Sequence, residues 1–201
     1  MVKSLLALAV GAAALGAAIQ AAEEPTPRPL PQAHAHNDYR HERPLIDALD
    51  HGFCSVEADI FLIDGELLVG HDRIELKPER TLQSLYLDPL LQRVRRNGGR
   101  VYADGPDFTL MIDIKSDGGA TYRALAKVLA RYREMLTEVV GGEVTKRAVT
   151  VVVSGNRAKD VIAGDDPRLV GIDGRLSDLD STLPAHLIPM ISDRWGTHFR
   201  W

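Results

Sequence analysis

Glu57 and Asp59 are separated by one residue and interleaved with Val56, Ala58 and Ile60. Alternate residues of a strand point to opposite faces, so the two carboxylates share one face and the apolar residues share the other. Two neighbouring acids repel unless a positive group lies between them, and a divalent cation is the simplest such group. Asp113 and Lys115 repeat this spacing, opposite Leu110, Ile112 and Ile114. Three carboxylates and an amide are hard oxygen ligands, which suit Mg²⁺ or Ca²⁺ rather than zinc. His36 and His71 beside such a site could act as base and acid across one scissile bond, because an imidazole titrates near neutrality. His34 lies on the same face of a strand as His36. The plain alternatives are a solvated strand face for Glu57 and Asp59 and a structural ion pair for Asp113 and Lys115. The first fits poorly with a parallel strand covered by helices.

These residues need elements to position them. Gln32–His36 reads as a short strand and Pro44–His51 as a helix stopped by Gly52. Phe53 begins a strand that reaches the hairpin signal Asp64-Gly65. Glu66–Gly70 returns as a second strand and delivers His71-Asp72 beside the carboxylates. Thr81–Leu87 is ambiguous. Asp88 reads as a cap, with a helix over Leu90–Arg96 ended by Asn97-Gly98-Gly99. Thr109–Lys115 is a strand, and Tyr122–Val140 is the longest helical pattern, closed by Gly141-Gly142. Ala148–Val153 is a β-branched run of the kind buried on both faces. A helix over Arg157–Ala163 and strands at Leu169–Asp173 and Ile188–Ile191 complete the alternation. Strands alternating with helices predict a parallel α/β fold. Polar residues fall at the C-terminal strand ends, at His36, Asp59, Lys115, Ser154, Asp173 and Asp193, where such folds build their sites. Trp195 follows a strand end and either walls a pocket or packs in the core. Ser154 has no nucleophile-elbow context.

The chain has 201 residues, 45% of them hydrophobic, and a formal net charge of -4. That charge argues against nucleic acid as a partner. Residues 1–22 have a basic residue, Lys3, then an apolar run and a small-residue cleavage site, and they read as a secretory signal. Residues 23–31 are a proline-rich linker, and 32–201 form the folded domain. The expected location is secreted or periplasmic. The single cysteine, Cys54, permits no intrachain disulfide and reads as a packing residue.

The order His36-Asn37, Glu57-Ala58-Asp59, His71-Asp72 and Asp113-Ile114-Lys115 resembles the glycerophosphodiester phosphodiesterase and phosphatidylinositol phospholipase C superfamily. The phrases HAHNDY, FCSVEADIFLIDGELLVGHD and TLQSLYLDPL resemble a branch that includes proteins named for altered inheritance of mitochondria. The resemblance implies a TIM-type (β/α) barrel with one divalent metal. It implies His36 and His71 as acid and base, Glu57, Asp59, Asp113 and Asn37 at the metal, and Lys115 on the phosphate. His34, Ser154 and Trp195 are further candidates for substrate contact. His36-Asn37-Asp38 and Asp113 depart from the His-Arg-Gly and Glu of many phosphodiesterases in the superfamily. A TIM barrel needs about 250 residues, so the barrel is expected to be incomplete at its C-terminus.

The expected function is metal-dependent hydrolysis of a small-molecule or lipid phosphodiester by a monomer, with peripheral membrane contact an option. An amidohydrolase-like metal hydrolase, opened by His34 and His36, is the rival enzyme. A barrel without turnover, acting as a binding protein, is the non-enzyme rival.

Overall fold

The computed structural model describes residues 27–198, except for the side chain of Trp195. The expected leader at 1–22, the start of the linker and residues 199–201 lie outside the described residues. Among the described residues no helix is long and apolar enough to cross a membrane.

Six parallel strands form one curled sheet in an α/β fold. They are β1 (Leu30–Ala35), β2 (Phe53–Ile63), β4 (Phe108–Ile114), β7 (Val149–Gly155), β8 (Val170–Gly174) and β9 (Met190–Ile191). They lie side by side in chain order, and β3 (Glu66–Val69) adds to β2 antiparallel. The β2–β3 turn is Asp64-Gly65, with φ of 49° and 87°. Both positive values are what a two-residue hairpin matching the strand twist requires.

The strands segregate their faces as their alternation demands. Val56, Ala58, Ile60, Leu110, Ile112, Ile114, Val151 and Val153 belong to the main core. They pack with Leu49 of α1 (Ile46–Asp50), Leu90 and Val94 of α2 (Asp88–Arg96), and Leu125 and Leu129 of α3 (Gly118–Leu129). The opposite, inner face aligns in layers through the parallel register. Ser55 pairs with Thr109, Glu57 with Met111, and Asp59 with Asp113. The layers continue as Thr150, Val152 and Ser154 on β7. Met111 and Val152 are buried yet lie outside the main core cluster. The inner face therefore has its own interior, with Glu57 beside Met111 and Val152 in the middle layer and Asp59 and Asp113 in the next layer toward the C-terminal strand ends.

Three expectations about elements are corrected. The helix expected over 122–140 begins earlier and stops at Leu129, followed by a 3₁₀ turn at Ala130–Tyr132. Its start is set by Asp117, whose side chain accepts from the Ala120 N–H at 2.8 Å despite two following glycines. Val139-Val140 instead lie in β5 (Glu138–Val140), paired with β6 (Glu143–Thr145). Gly141-Gly142 is the hairpin turn between them rather than a helix stop, with φ of 56° and 85°. Asp88 is not a cap. A π-helical turn at Gln83–Leu87 runs directly into α2, and the Asp88 carboxylate accepts from the Tyr132 hydroxyl at 2.6 Å.

Leu110 is fully buried between the sheet and the helices. Leu110→Ala is expected to lower unfolding free energy by about 2–5 kcal/mol, read as a lower urea midpoint with an unchanged slope.

Candidate functional site

The site stands on β2. Glu57 and Asp59 are buried, Asp113 is half-buried, and carboxylate oxygens of all three lie within 4.8 Å of one another. Register alone brings Asp113 there, since Asp59 and Asp113 are direct cross-strand partners.

Each carboxylate has some compensation. Glu57 Oε2 accepts from the backbone N–H of Asn37 at 3.0 Å and lies 3.2 Å from His36 Nε2. Asp59 Oδ2 meets His71 Nδ1 at 2.8 Å, the Tyr39 hydroxyl at 2.8 Å and Lys115 Nζ at 3.2 Å. Lys115 Nζ also lies 3.2 Å from Asp113 Oδ2. The compensation is incomplete. Among the described residues, Asp59 Oδ1 and Asp113 Oδ1 are buried and have no hydrogen-bond partner. Burial pushes the Glu57 carboxyl above its usual range, against the pull of the Asn37 N–H and His36, and its acidic neighbours push the same way. Burial likewise raises Asp113, opposed by Lys115 and reinforced by Asp59. Burial works against the Lys115 ammonium, yet Asp113 and Asp59 together hold its pKa above the ordinary lysine value. A carboxylate can only accept, so the Asp59 contact fixes the proton of neutral His71 on Nδ1 and leaves Nε2 as the free base. Partnerless anionic oxygens beside a second acid are what a cation would satisfy, so the residues present fit a hard divalent ion.

Two short segments bring the histidines in. At the end of β1, Asn37 takes a left-handed conformation with φ of 53°. That bend aims its N–H at Glu57 and sends Tyr39 back toward Asp59. Asp38, fully buried, anchors the turn by accepting from the Leu45 N–H at 2.5 Å and the Tyr86 hydroxyl at 3.0 Å. The hairpin delivers His71, as the sequence predicts. The Glu75 carboxylate then accepts from the His71 and Asp72 N–H groups, at 2.8 and 3.4 Å.

The structure thus brings together His36, His71, Glu57, Asp59, Asp113 and Lys115. The Asn37 side chain reaches them through Tyr39, whose hydroxyl lies 2.7 Å from Asn37 Oδ1. Other candidates sit apart. His34 is one layer below, with Nδ1 2.8 Å from Ser55 Oγ, and no histidine belongs to the acidic cluster among the described residues. Ser154 aligns with Asp113 but donates to Asp173 Oδ2 at 2.7 Å, in a network with Arg175 and Ser192. Trp195 opens a short helix, Trp195–His198, and its side chain lies outside what is described.

Three residues escaped the sequence reading. Tyr39 links Asn37, Asp59 and His71, the last at 3.2 Å, and nothing in its spacing signals this. Glu75 could have been found, because Asp72 and Glu75 have capping-box spacing. Gly155 has φ of 67°, and a Cβ there would collide with Asp113 Oδ1. Its lack of a side chain is what gives that carboxylate its place.

With this geometry in view, comparison with known proteins is specific. A family model described as an AIM6-like phosphodiesterase domain matches residues 27–170. The chain belongs to this family. Among curated relatives, altered inheritance of mitochondria protein 6 homolog of Arthroderma benhamiae is 33% identical over 173 residues, covering 75% of this chain and 55% of that protein. Altered inheritance of mitochondria protein 6 of Eremothecium gossypii is 33% identical over 186 residues, covering 81% and 48%. The Saccharomyces cerevisiae protein of the same name is 36% identical over 152 residues, covering 64% and 37%. The chain thus spans about half the length of the first two relatives, or less for the third. No solved structure gives a significant match. The whole AIM6-like phosphodiesterase stretch, 27–170, contains the acidic cluster, both histidines and Lys115.

Tyr39→Phe keeps the buried ring and removes only the shared hydroxyl. It is expected to weaken divalent-cation binding by about 10–100-fold, measured by calorimetric Ca²⁺ or Mn²⁺ titration alongside an unchanged thermal melt.

Proposed function

We propose that this chain is a metal-dependent phosphoric diester hydrolase. In this reading Glu57, Asp59 and Asp113, with Asn37 beside them, hold one divalent cation, Mg²⁺ or Ca²⁺. His36 and His71 exchange protons with the attacking and leaving oxygens. One observation carries the reading. Two histidines from different loops each rest on a carboxylate of one compact acidic cluster, and that cluster keeps buried oxygens without a partner among the described residues. Membership of a phosphodiesterase-type family supports the reaction class.

A cation held there supplies Lewis-acid polarisation of a phosphoryl oxygen. The chain's own groups do the rest. Asp59 keeps the His71 ring in one tautomer, so the neutral ring presents Nε2 to accept a proton and the charged ring presents the same atom to return it. His36 contacts Glu57 through Nε2, which leaves Nδ1 for the same work on the other side. Lys115 keeps its charge between Asp59 and Asp113 and offsets negative charge developing on the phosphoryl group. His34 contacts Ser55 rather than the acidic cluster, which favours this set over an amidohydrolase-type centre built on His34 and His36. We also read the six strands, parallel and in chain order from Leu30 to Ile191, as part of a (β/α) barrel.

The test is hydrolysis of bis(p-nitrophenyl) phosphate by the full chain in Mg²⁺, in Ca²⁺ and in excess chelator. Turnover is expected only with metal. Glu57→Gln, His36→Ala and His71→Ala should each lower kcat by about 10²–10⁴. Equal turnover in chelator, or full turnover in both histidine variants, would reject the mechanism.

A further inference from the structure

Beside the acidic cluster lies a second, open cavity of about 440 Å³, between the loop after β1 and the segment after β3. Arg40, Lys77 and Arg80 line it, and Glu75 is the one carboxylate on its wall. Among the described residues, none of the three cations forms an ion pair within 4.0 Å. The Glu75 carboxylate accepts from the His71 and Asp72 N–H groups instead, and its single charge offsets only one of the three. The wall thus has three positive groups against one acid, in a chain whose formal net charge is -4. Three cations around one cavity with a single acid give it a positive potential, which favours an anion there.

The cavity is tied to the candidate active site by shared residues. Tyr39 lines it while its hydroxyl contacts Asp59 and His71 on the other side. Gly70 lines it and directly precedes His71. Arg80 donates from Nη2 to the Tyr39 carbonyl at 2.5 Å, so the basic wall and the Tyr39 turn are one unit.

We propose that this cavity is an anion-binding subsite for a phosphate-class group on the substrate, distinct from the phosphodiester that is cut. Two guanidinium groups and an ammonium suit a phosphomonoester, since guanidinium N–H groups match phosphate oxygens in pairs. The volume exceeds one phosphate and leaves room for part of the alcohol that carries it. Substrates with a second anionic group next to the scissile linkage are thereby selected. The identity of the bound molecule as substrate rests on the phosphodiesterase reading above.

The test needs no turnover. Inorganic phosphate is titrated into the full chain by calorimetry, in excess chelator. Binding is expected, weakened at least tenfold in the exposed pair Arg40→Gln/Lys77→Gln and retained in Lys115→Gln. No binding, binding unchanged in the double variant, or loss in Lys115→Gln would each overturn the subsite, the last by placing phosphate at the acidic cluster. Two further arms locate the anion's source. Sedimentation with phosphatidylcholine vesicles only when they contain phosphatidic acid, lost in the double variant, supports a lipid head group. Displacement of phosphate by glycerol 2-phosphate without such sedimentation supports a soluble ester. Phosphate binding in chelator and metal-dependent turnover are separate readouts, so failure of the subsite and failure of the phosphodiesterase reading are told apart.

Discussion

Three carboxylates within 4.8 Å, two of them buried, set the terms for the rest of this structure. Two unit charges 4 Å apart repel by about 4 kcal/mol at an effective dielectric constant near 20. A fold that holds three must supply donors and positive charge nearby. It does so with one lysine, two histidines, a tyrosine hydroxyl and a backbone N–H. These go mostly to one oxygen of each acid. The remaining oxygens of Asp59 and Asp113 have no partner among the described residues, and Glu57 and Asp113 are held above the usual carboxylate range, chiefly by burial. The cluster is therefore compensated enough to fold and still short of positive charge. That imbalance is the physical basis for reading it as a cation site.

The donors arrive from separate stretches of chain, which is why the parallel sheet matters. Parallel strands in register place the residues after each strand along one edge. The turn after β1, the β2–β3 hairpin and the end of β4 thus all reach the same point. The next strand ends repeat the theme with Ser154, Asp173, Arg175 and Ser192, and the Arg175 charge is close enough to pull against the raised pKa of Asp113. The family match, over residues 27–170, covers the acidic cluster, both histidines and Lys115, while the relatives' names state no reaction. The chemistry must accordingly be argued from the site itself.

Much of this is legible in the sequence. Alternation in β2 and β4 assigned the faces correctly, because a period of two fixes which side chains share a side once the strand is recognised. Asp64-Gly65 was readable because few residues tolerate positive φ. The same local logic failed at Gly141-Gly142. A glycine pair ends a helix or turns a hairpin equally well, and only the pairing of Val139 and Val140 with β6 decides between them. Asp88 failed similarly, since a cap and an interior aspartate paired with Tyr132 look alike in sequence.

The sequence alone determined residue types, the strand faces and the presence of acids and imidazoles with hard-ligand and proton-transfer chemistry. These follow from local periodicity and functional-group chemistry. Tertiary structure decided which of them meet. Asp59 and Asp113 are joined by register, across a long separation in the chain, while His34 and Ser154 were directed to other partners. Tyr39 became the link between Asn37, Asp59 and His71 only through the left-handed bend at Asn37. Electrostatic coupling depends on distances of a few ångströms, and no sequence spacing specifies those between segments joined only by the fold.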